Sequence, residues 1–221
     1  MIKTILCFGD SNTWGWNPTT RQRFPRDVRW TGILQQQLGN QYHIIEEGLC
    51  GRTTLRKDLF ERYTNGKEYL IPCLSSHKPI DLVTIMLGTN DLKKRFGLSA
   101  FDIAKGAGIL VNIVQRSKTG PNSSAPKVLL MAPPPIGKIA NDRGLFQGAE
   151  PKSKQLGELY MQVAQHYGCA FLDTAEIIRS SDIDGIHLEA SEHLKLGIKV
   201  ASIINEIFAG KILCSNSNKI A

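Results

Sequence analysis

The sequence predicts an α/β protein in which a five-stranded parallel sheet lies between two layers of helices. Short apolar runs alternate with longer segments of helical periodicity, and an alternating order of this kind is typical of a parallel sheet. The apolar runs also lack alternating polar positions, which indicates strands buried on both faces. A length of 221 residues favours a single domain. The fold class is therefore a three-layer α/β/α sandwich.

Each predicted strand is a brief run rich in Ile, Val, Leu or Phe, bounded by Gly, Pro or polar residues. The five strands are expected at residues 2–8, 43–46, 80–87, 127–132 and 169–172. Apolar residues at helical spacing predict helices near residues 30–38, 66–76, 100–117, 153–167 and 190–208. The intervening segment 133–152 has no clear periodicity and is expected to be a long loop or lid.

Composition excludes several classes of protein. With 42% hydrophobic and 21% charged residues, the chain has enough apolar surface to fold. No apolar run approaches the ~20 residues that cross a bilayer, so neither a membrane anchor nor a signal peptide is expected. The formal net charge is +7, but the basic residues are scattered without interleaved aromatic residues, which argues against a nucleic-acid partner.

The five cysteines indicate a reducing compartment. They are odd in number and lack CxxC spacing, and several lie inside apolar runs where a free thiol packs as a small hydrophobic group. We therefore expect a cytoplasmic protein. The domain is expected to span residues 1–214, and the polar residues 215–221 to form a flexible tail.

Functional residues are expected just after the strands, because ligands bind outside the carboxyl ends of a parallel sheet. The first strand is followed by Asp10, Ser11 and Asn12. These residues could simply cap the next helix. Alternatively, Ser11 is a nucleophile whose own N–H is available to an oxyanion, and a hydroxyl of this kind needs a base to activate it.

The most suitable base is His187, because Asp184 precedes it by three residues in Asp-Gly-Ile-His. On a helical turn this spacing would put both side chains on one face, so the carboxylate could orient the imidazole. The pattern also occurs by chance in caps and on surfaces. His193 is a competitor, but it has no acid at the same spacing and lies in a predicted helix, where packing is the simpler explanation.

Two further loops offer hydrogen-bond donors. Asn90 follows the third predicted strand in Gly-Thr-Asn-Asp, where its amide could stabilise a developing negative charge or form an Asx turn. After the second strand, Gly48 and Gly51 permit close backbone approach, and an N–H near Gly51 could be another donor. Each of these patterns is weak by itself.

Together, the four patterns resemble the SGNH (GDSL-type) hydrolase family. The blocks GDSN, EEGLCGRTT, GTND and DGIH occur in the family's order. Longer matches, FGDSNTWGWNP, RFPRDVRWTG, IEEGLCGRTT, IMLGTND and APPP, are most similar to the small intracellular arylesterase/acyltransferase group. The resemblance covers nearly the whole chain and implies a flavodoxin-like SGNH-hydrolase fold.

The resemblance implies a role for each matched residue. Ser11 would be the nucleophile, His187 the general base and then acid, and Asp184 the group that orients the imidazole. The oxyanion hole would comprise the backbone N–H groups of Ser11 and Gly51 with the Asn90 amide. Gly48 is the alternative to Gly51, which we prefer because it lies farther past the strand.

The expected activity is that of a serine esterase or acyltransferase acting on short-chain esters, with water or an alcohol as acceptor. No cofactor or metal is required, because the triad and the oxyanion hole supply both proton transfer and charge stabilisation. The resemblance also suggests a homo-oligomer whose neighbouring subunits narrow the site. Residues near the motifs are expected to bind substrate: Asp10, Asn12, Trp14, Trp16, Leu49, Pro134 and Ile186.

Three alternatives remain open on the sequence. A deacetylase acting on sugars or another acylated metabolite would share the same motifs. A non-catalytic ligand-binding protein could retain the scaffold, although an intact Ser11, Asp184 and His187 argue against it. A nucleotide-binding module is suggested by Gly106 and Gly108, but these lie in a predicted helix and lack the third fingerprint glycine, so close helix packing is the better interpretation.

Overall fold

The computed structural model describes residues 2–139 and 144–212 and has a parallel sheet at its centre. Five strands form this sheet in the order β2-β1-β3-β4-β5. Their bounds are Lys3–Gly9 (β1), Tyr42–Gly48 (β2), Leu82–Met86 (β3), Lys127–Ala132 (β4) and Ala170–Asp173 (β5). All neighbouring strands pair in parallel. The predicted five-stranded parallel sheet is confirmed.

Helices cover both faces of the sheet. Their bounds are Ser11–Trp14 (α1), Trp30–Leu38 (α2), Gly66–His77 (α3), Ala100–Arg116 (α4), Ala149–Ser153 (α5), Leu156–Tyr167 (α6) and Ala190–Phe208 (α7). One apolar core contains residues of α3, α4 and α6, and a second contains residues of α2 and α7. None of the helices in the described ranges is both long and apolar enough to cross a bilayer.

The structure differs from the expected elements in four places. Strand β3 is shorter than predicted because Ile80 and Asp81 pair outside the strand ladder, with Thr119 and Thr4. The helix predicted at 153–167 begins at Leu156, as α6. Helix α5 lies at the end of segment 133–152, which was expected to be a loop, and the short α1 was not predicted. Residues 133–139 and 144–148 have no regular secondary structure, as expected for a long loop. The predicted tail, 215–221, lies outside the described residues.

The two glycines of α4 serve close packing. A Cβ at Gly106 would lie 2.4 Å from Thr54 Oγ1, and one at Gly108 would lie 2.9 Å from Tyr167 Cε2. Both positions therefore bring α4 against neighbouring elements, in agreement with the packing interpretation of the sequence.

Strand order locates the site. The chain passes from β1 to β2 on one side and from β3 to β4 on the other, so the connections after β1 and β3 run in opposite directions across the sheet. A reversal of this kind opens a crevice at the carboxyl ends of the two strands. Ser11 follows β1 and Asn90 follows β3 after only a few residues. The fold thus brings both predicted site residues to the same crevice.

Candidate active site

Ser11, His187 and Asp184 form a continuous chain of hydrogen bonds at this crevice. His187 Nε2 lies 3.0 Å from Ser11 Oγ, and His187 Nδ1 lies 2.7 Å from Asp184 Oδ2. Ser11 and His187 are 176 residues apart in sequence. A hydroxyl, an imidazole and a carboxylate in this order can pass a proton from the hydroxyl to the imidazole.

Ser11 is held at the beginning of helix α1. Asp10 caps this helix, with Oδ1 accepting a hydrogen bond from the Asn12 N–H at 2.9 Å. The turn out of β1 is tight, because a Cβ at Gly9 would lie 2.0 Å from Thr13 Oγ1. The helical cap and the presentation of Ser11 are therefore two consequences of the same local structure.

The His187 loop is an Asx-type turn, and the expected helical turn is not present. Asp184 Oδ1 accepts hydrogen bonds from the backbone N–H groups of Ile186 and His187, both at 2.9 Å. Its other oxygen holds the imidazole. Partial burial opposes ionisation of Asp184, but the hydrogen bonds from His187 outweigh it and the net pKa lies below the ordinary value. The carboxylate is thus stabilised as an anion.

Asn90 and Gly51 line the same cleft as Ser11. Asn90 Nδ2 donates to the Arg52 carbonyl at 3.2 Å, which fixes the amide and leaves its second N–H. Within the described ranges, no hydrogen bond uses the backbone N–H of Ser11 or Gly51. Both N–H groups are therefore available to a ligand.

Gly48 occupies a different environment from Gly51. It is the last residue of β2, paired in register with Gly9, and a Cβ there would lie 2.1 Å from the backbone nitrogen of Trp14. Gly51 has a φ of 81° and lines the crevice. Gly48 therefore permits α1 to approach β2, whereas Gly51 faces the space beside Ser11.

Arg52 anchors the Gly51 loop to the ends of strands β1 and β2. It is 2% exposed, and its guanidinium donates to the carbonyl oxygens of Gly9 (2.9 Å) and Glu47. It also stacks on Phe8, with Cζ 4.2 Å from the ring centroid. One buried cation thus joins the carboxyl ends of β1 and β2 to the loop that carries Gly51.

The cleft around Ser11 contains two of the residues expected to bind substrate. Trp16 packs on His187, with ring centroids 5.6 Å apart, and Ile186 lines the same space. The full lining is Ser11, Trp16, Cys50, Gly51, Glu61, Asn90, Lys93, Phe146, Ile186 and His187.

The other five expected substrate residues do not line this cleft. Asp10 and Asn12 are buried in hydrogen bonds that hold α1 and the His187 loop. Trp14 packs on Trp16, with centroids 6.1 Å apart, and does not itself line the cleft. Leu49 and Pro134 are likewise absent from the lining.

The lining includes four residues that sequence reasoning missed: Cys50, Glu61, Lys93 and Phe146. Cys50 and Lys93 are close in sequence to the motif residues Gly51 and Asn90, and this closeness could have predicted that they line the cleft. Glu61 and Phe146 lie in long irregular segments, and no periodicity or spacing places such residues.

His193 is packed in the core, as its helical position suggested. It is fully buried, and its Nδ1 accepts a hydrogen bond from the Trp30 backbone N–H at 3.3 Å. Burial, reinforced by the positive charge of Arg29, lowers its pKa to about 4. The imidazole is therefore neutral at physiological pH, and it is not among the residues that line the cleft around Ser11.

Two buried carboxyl groups lie behind the site. Burial raises the pKa values of Asp10 and Asp91 to about 6 in each case. Asp91 accepts hydrogen bonds from the Thr54 N–H and hydroxyl, at 2.9 and 2.6 Å, so it connects β3 to the Gly51 loop. Burial therefore makes both carboxyl groups harder to ionise than an exposed aspartate.

Glu47, Cys73 and His77 bring three possible metal ligands within 4.8 Å of one another. Glu47 Oε1 and His77 Nε2 already form a hydrogen bond of 2.8 Å, so each satisfies the other. None of the three lines the cleft that contains Ser11.

Comparisons with known proteins agree with this architecture. The model of the GDSL-like lipase/acylhydrolase family matches residues 7–193. A search of curated proteins found no match. Among solved structures, a carbohydrate acetylesterase from Sinorhizobium meliloti is 42% identical with a TM-score of 0.90, covering 93% of this chain and 100% of that one.

Two further structures are also similar. The aryl esterase of M. smegmatis is 42% identical with a TM-score of 0.89, covering 92% of this chain and 99% of that one. A carbohydrate acetylesterase family member from Sinorhizobium meliloti is 36% identical with a TM-score of 0.90, covering 94% of this chain and 100% of that one. This chain belongs to the GDSL-like lipase/acylhydrolase family.

Proposed function

We propose that this protein hydrolyses carboxylic esters, with Ser11, His187 and Asp184 as its catalytic triad. The observation that carries the proposal is the hydrogen-bonded series from Ser11 Oγ to His187 (3.0 Å) and from His187 to Asp184 (2.7 Å). Ester hydrolysis is further supported by the family and by the esterases among the similar structures.

In the first half of the reaction, His187 Nε2 takes the proton of Ser11 as Oγ attacks the ester carbonyl. The imidazolium that forms is stabilised by Asp184, and it then protonates the departing alcohol. An acyl-Ser11 ester remains. Because Asp184 is ionised and holds Nδ1, the tautomer that presents a lone pair to Ser11 is favoured.

The tetrahedral intermediate carries a negative oxygen that needs hydrogen-bond donors. We assign this role to the N–H groups of Ser11 and Gly51 and to the Asn90 amide, all of which line the cleft. The hydrogen bond from Asn90 to the Arg52 carbonyl supports this assignment, because it fixes the amide before substrate arrives.

Deacylation uses water or an alcohol activated by His187, so the protein is both a hydrolase and an acyltransferase in this proposal. Trp16, Phe146 and Ile186 give the cleft an apolar wall that suits a short acyl group. Transfer is tested by following acyl-Ser11 breakdown with increasing added alcohol. Exclusive hydrolysis at high alcohol concentration would contradict the transferase activity.

The decisive test of the triad is turnover of 4-nitrophenyl acetate by Ser11→Ala. We expect a loss of ~10⁴-fold or more in kcat with an unchanged fold. Ser75→Ala, an exposed serine on α3, is the matched control and is expected to retain wild-type turnover. Normal turnover by the Ser11 variant would exclude the acyl-Ser11 mechanism.

We also propose that the protein is a homo-oligomer. Leu59, Phe60 and Tyr63 are 85%, 79% and 85% exposed near the cleft, and an apolar patch of this kind is suited to contact a second copy of the chain. Light scattering tests the assembly, and a monomeric mass at micromolar concentration would contradict it.

We further propose that the protein works in the reducing cytoplasm. The free thiols of Cys7, Cys50 and Cys73 support this location, because thiols stay unpaired in a reducing compartment.

A further inference from the structure

The cleft contains a carboxylate that the triad and oxyanion hole do not use. Glu61 lies in the loop between β2 and α3, and its side chain is 39% exposed. Its Oε1 accepts hydrogen bonds from Lys93 Nζ (2.8 Å) and Arg95 Nη2 (3.0 Å). Two cations therefore hold one oxygen of this carboxylate in place.

The second oxygen of Glu61 lies against the Gly51 loop. A Cβ placed on Gly51 would be 1.9 Å from Glu61 Oε2, so this oxygen is in close contact with the Gly51 backbone. No donor among the described residues forms a hydrogen bond with Oε2. An available acceptor thus stands beside the predicted oxyanion donor, on the wall of the same cleft.

The support for Glu61 is built into the fold. Lys93 is 4% exposed and follows the Asn90 loop, and its Nζ also lies 3.8 Å from Asp58 Oδ2. The Asp58 side chain is fully buried and forms an ion pair with Arg95. Because four charged groups restrain one another, Glu61 is held with much less freedom than an ordinary surface carboxylate.

The charge of this cluster indicates the chemistry that it recognises. Two carboxylates (Asp58 and Glu61) and two cations (Lys93 and Arg95) leave no formal net charge. A cationic ligand is therefore only weakly attracted to the cluster. An anionic ligand is repelled by Glu61 Oε2, because a carboxylate oxygen has no proton to donate. A neutral hydroxyl can donate to Oε2 without disturbing the ion pairs.

Resting on the esterase function proposed above, we propose that Glu61 Oε2 is a binding site for a hydroxyl group on the alcohol part of the ester. The preferred substrates are then esters of polyhydroxy alcohols, in which a hydroxyl neighbours the acylated oxygen. Glu61 binds this hydroxyl, and Lys93 is a positioning residue that acts through Glu61.

The test is the selectivity between two esters with the same carbon skeleton, 1-acetylglycerol and propyl acetate. We expect Glu61→Ala to lower the ratio of their kcat/KM values about 10-fold or more, through a higher KM for 1-acetylglycerol, because a hydrogen bond to a charged group is lost. Glu158→Ala, an exposed carboxylate on α6, is the control and keeps the wild-type ratio.

Variants at Lys93 test the positioning role. Lys93→Met is expected to lower the same ratio, and Lys93→Arg, which still donates to Glu61, is expected to restore most of it. If Glu61→Ala does not fold, Glu61→Gln replaces it, and an intermediate fall in the ratio supports the assignment.

An unchanged ratio in folded Glu61→Ala or Glu61→Gln would overturn the inference, as would an equal loss on both esters. Neither result would bear on the esterase function, which wild-type turnover of 4-nitrophenyl acetate tests separately. Wild-type protein that cleaves none of the three esters would instead refute the proposed function itself.

Discussion

Asn12 Oδ1 accepts a hydrogen bond from the Leu188 backbone N–H at 3.1 Å, across 176 residues of sequence. The amide nitrogen of the same side chain donates to the Ile186 carbonyl at 3.2 Å. One buried amide therefore holds the backbone on both sides of His187. Since Asn12 follows Ser11 directly, it fixes the histidine loop relative to the proposed nucleophile.

Replacing Asn12 with Ala is expected to lower kcat much more than it raises KM, because a small displacement of His187 disrupts proton transfer. It also leaves the buried Leu188 N–H without its partner, which costs about 1–3 kcal/mol of unfolding free energy. Steady-state kinetics and urea denaturation measure the two effects. Asn17→Ala, in an exposed turn, is the control. Wild-type kcat in folded Asn12→Ala would contradict the coupling.

Replacing Asn90 with Ala is expected to lower kcat by ~10²- to 10³-fold, the usual cost of one oxyanion donor. The KM for 4-nitrophenyl acetate should change little, because the donor acts on the charge that develops in the transition state. Asn112→Ala on α4 is the control, and thermal melting verifies the fold. A fall of less than about threefold would remove Asn90 from the oxyanion hole.

Replacing Arg52 with Lys is expected to impair both stability and turnover. A single ammonium cannot reproduce the planar guanidinium, which bonds to Gly9 and Glu47 and stacks on Phe8. We expect a loss of about 1.5–3 kcal/mol in unfolding free energy, measured by denaturant titration. Arg56→Lys, at an exposed position, is the control. Equal stability of the two variants would show that the clamp is dispensable.

His193 makes a definite contribution to the pH dependence of stability. Its pKa is about 4 in the folded protein and 6.5 as the ordinary value, so the unfolded chain binds the proton more tightly. Its stabilising contribution is present above pH 6.5 and is lost as pH falls toward 4. Between pH 7.5 and 5 this amounts to about 1–2 kcal/mol.

His193→Asn tests this contribution, because Asn keeps an acceptor for the Trp30 N–H but does not titrate. The quantity to compare is the difference in unfolding free energy between the two pH values, measured for each protein. Contributions from Asp10, Asp91 and Asp184 then cancel. Identical pH dependence in both proteins would refute the lowered pKa of His193.

Local patterns were sufficient to predict the five strands and most of the helices. Each strand is a short apolar run, and burial on both faces follows directly from that composition. The helix predicted at 153–167 was wrong at its beginning, because the chain turns between α5 and α6. The motifs gave residue identities, but the Asp184 turn differs from the expected helix because its carboxylate binds two backbone N–H groups.

Local composition and ordered motifs were enough to predict the fold class, the family and the residues of the proposed triad. The packed fold was needed to show that Trp16 contacts His187 and lines the cleft whereas Trp14 does not, and that Gly51 faces the cleft whereas Gly48 supports α1. Packing also brought Glu61 and Lys93 to the cleft wall. Such placements depend on contacts between distant segments, which become fixed only when the sheet and its two helical layers pack together.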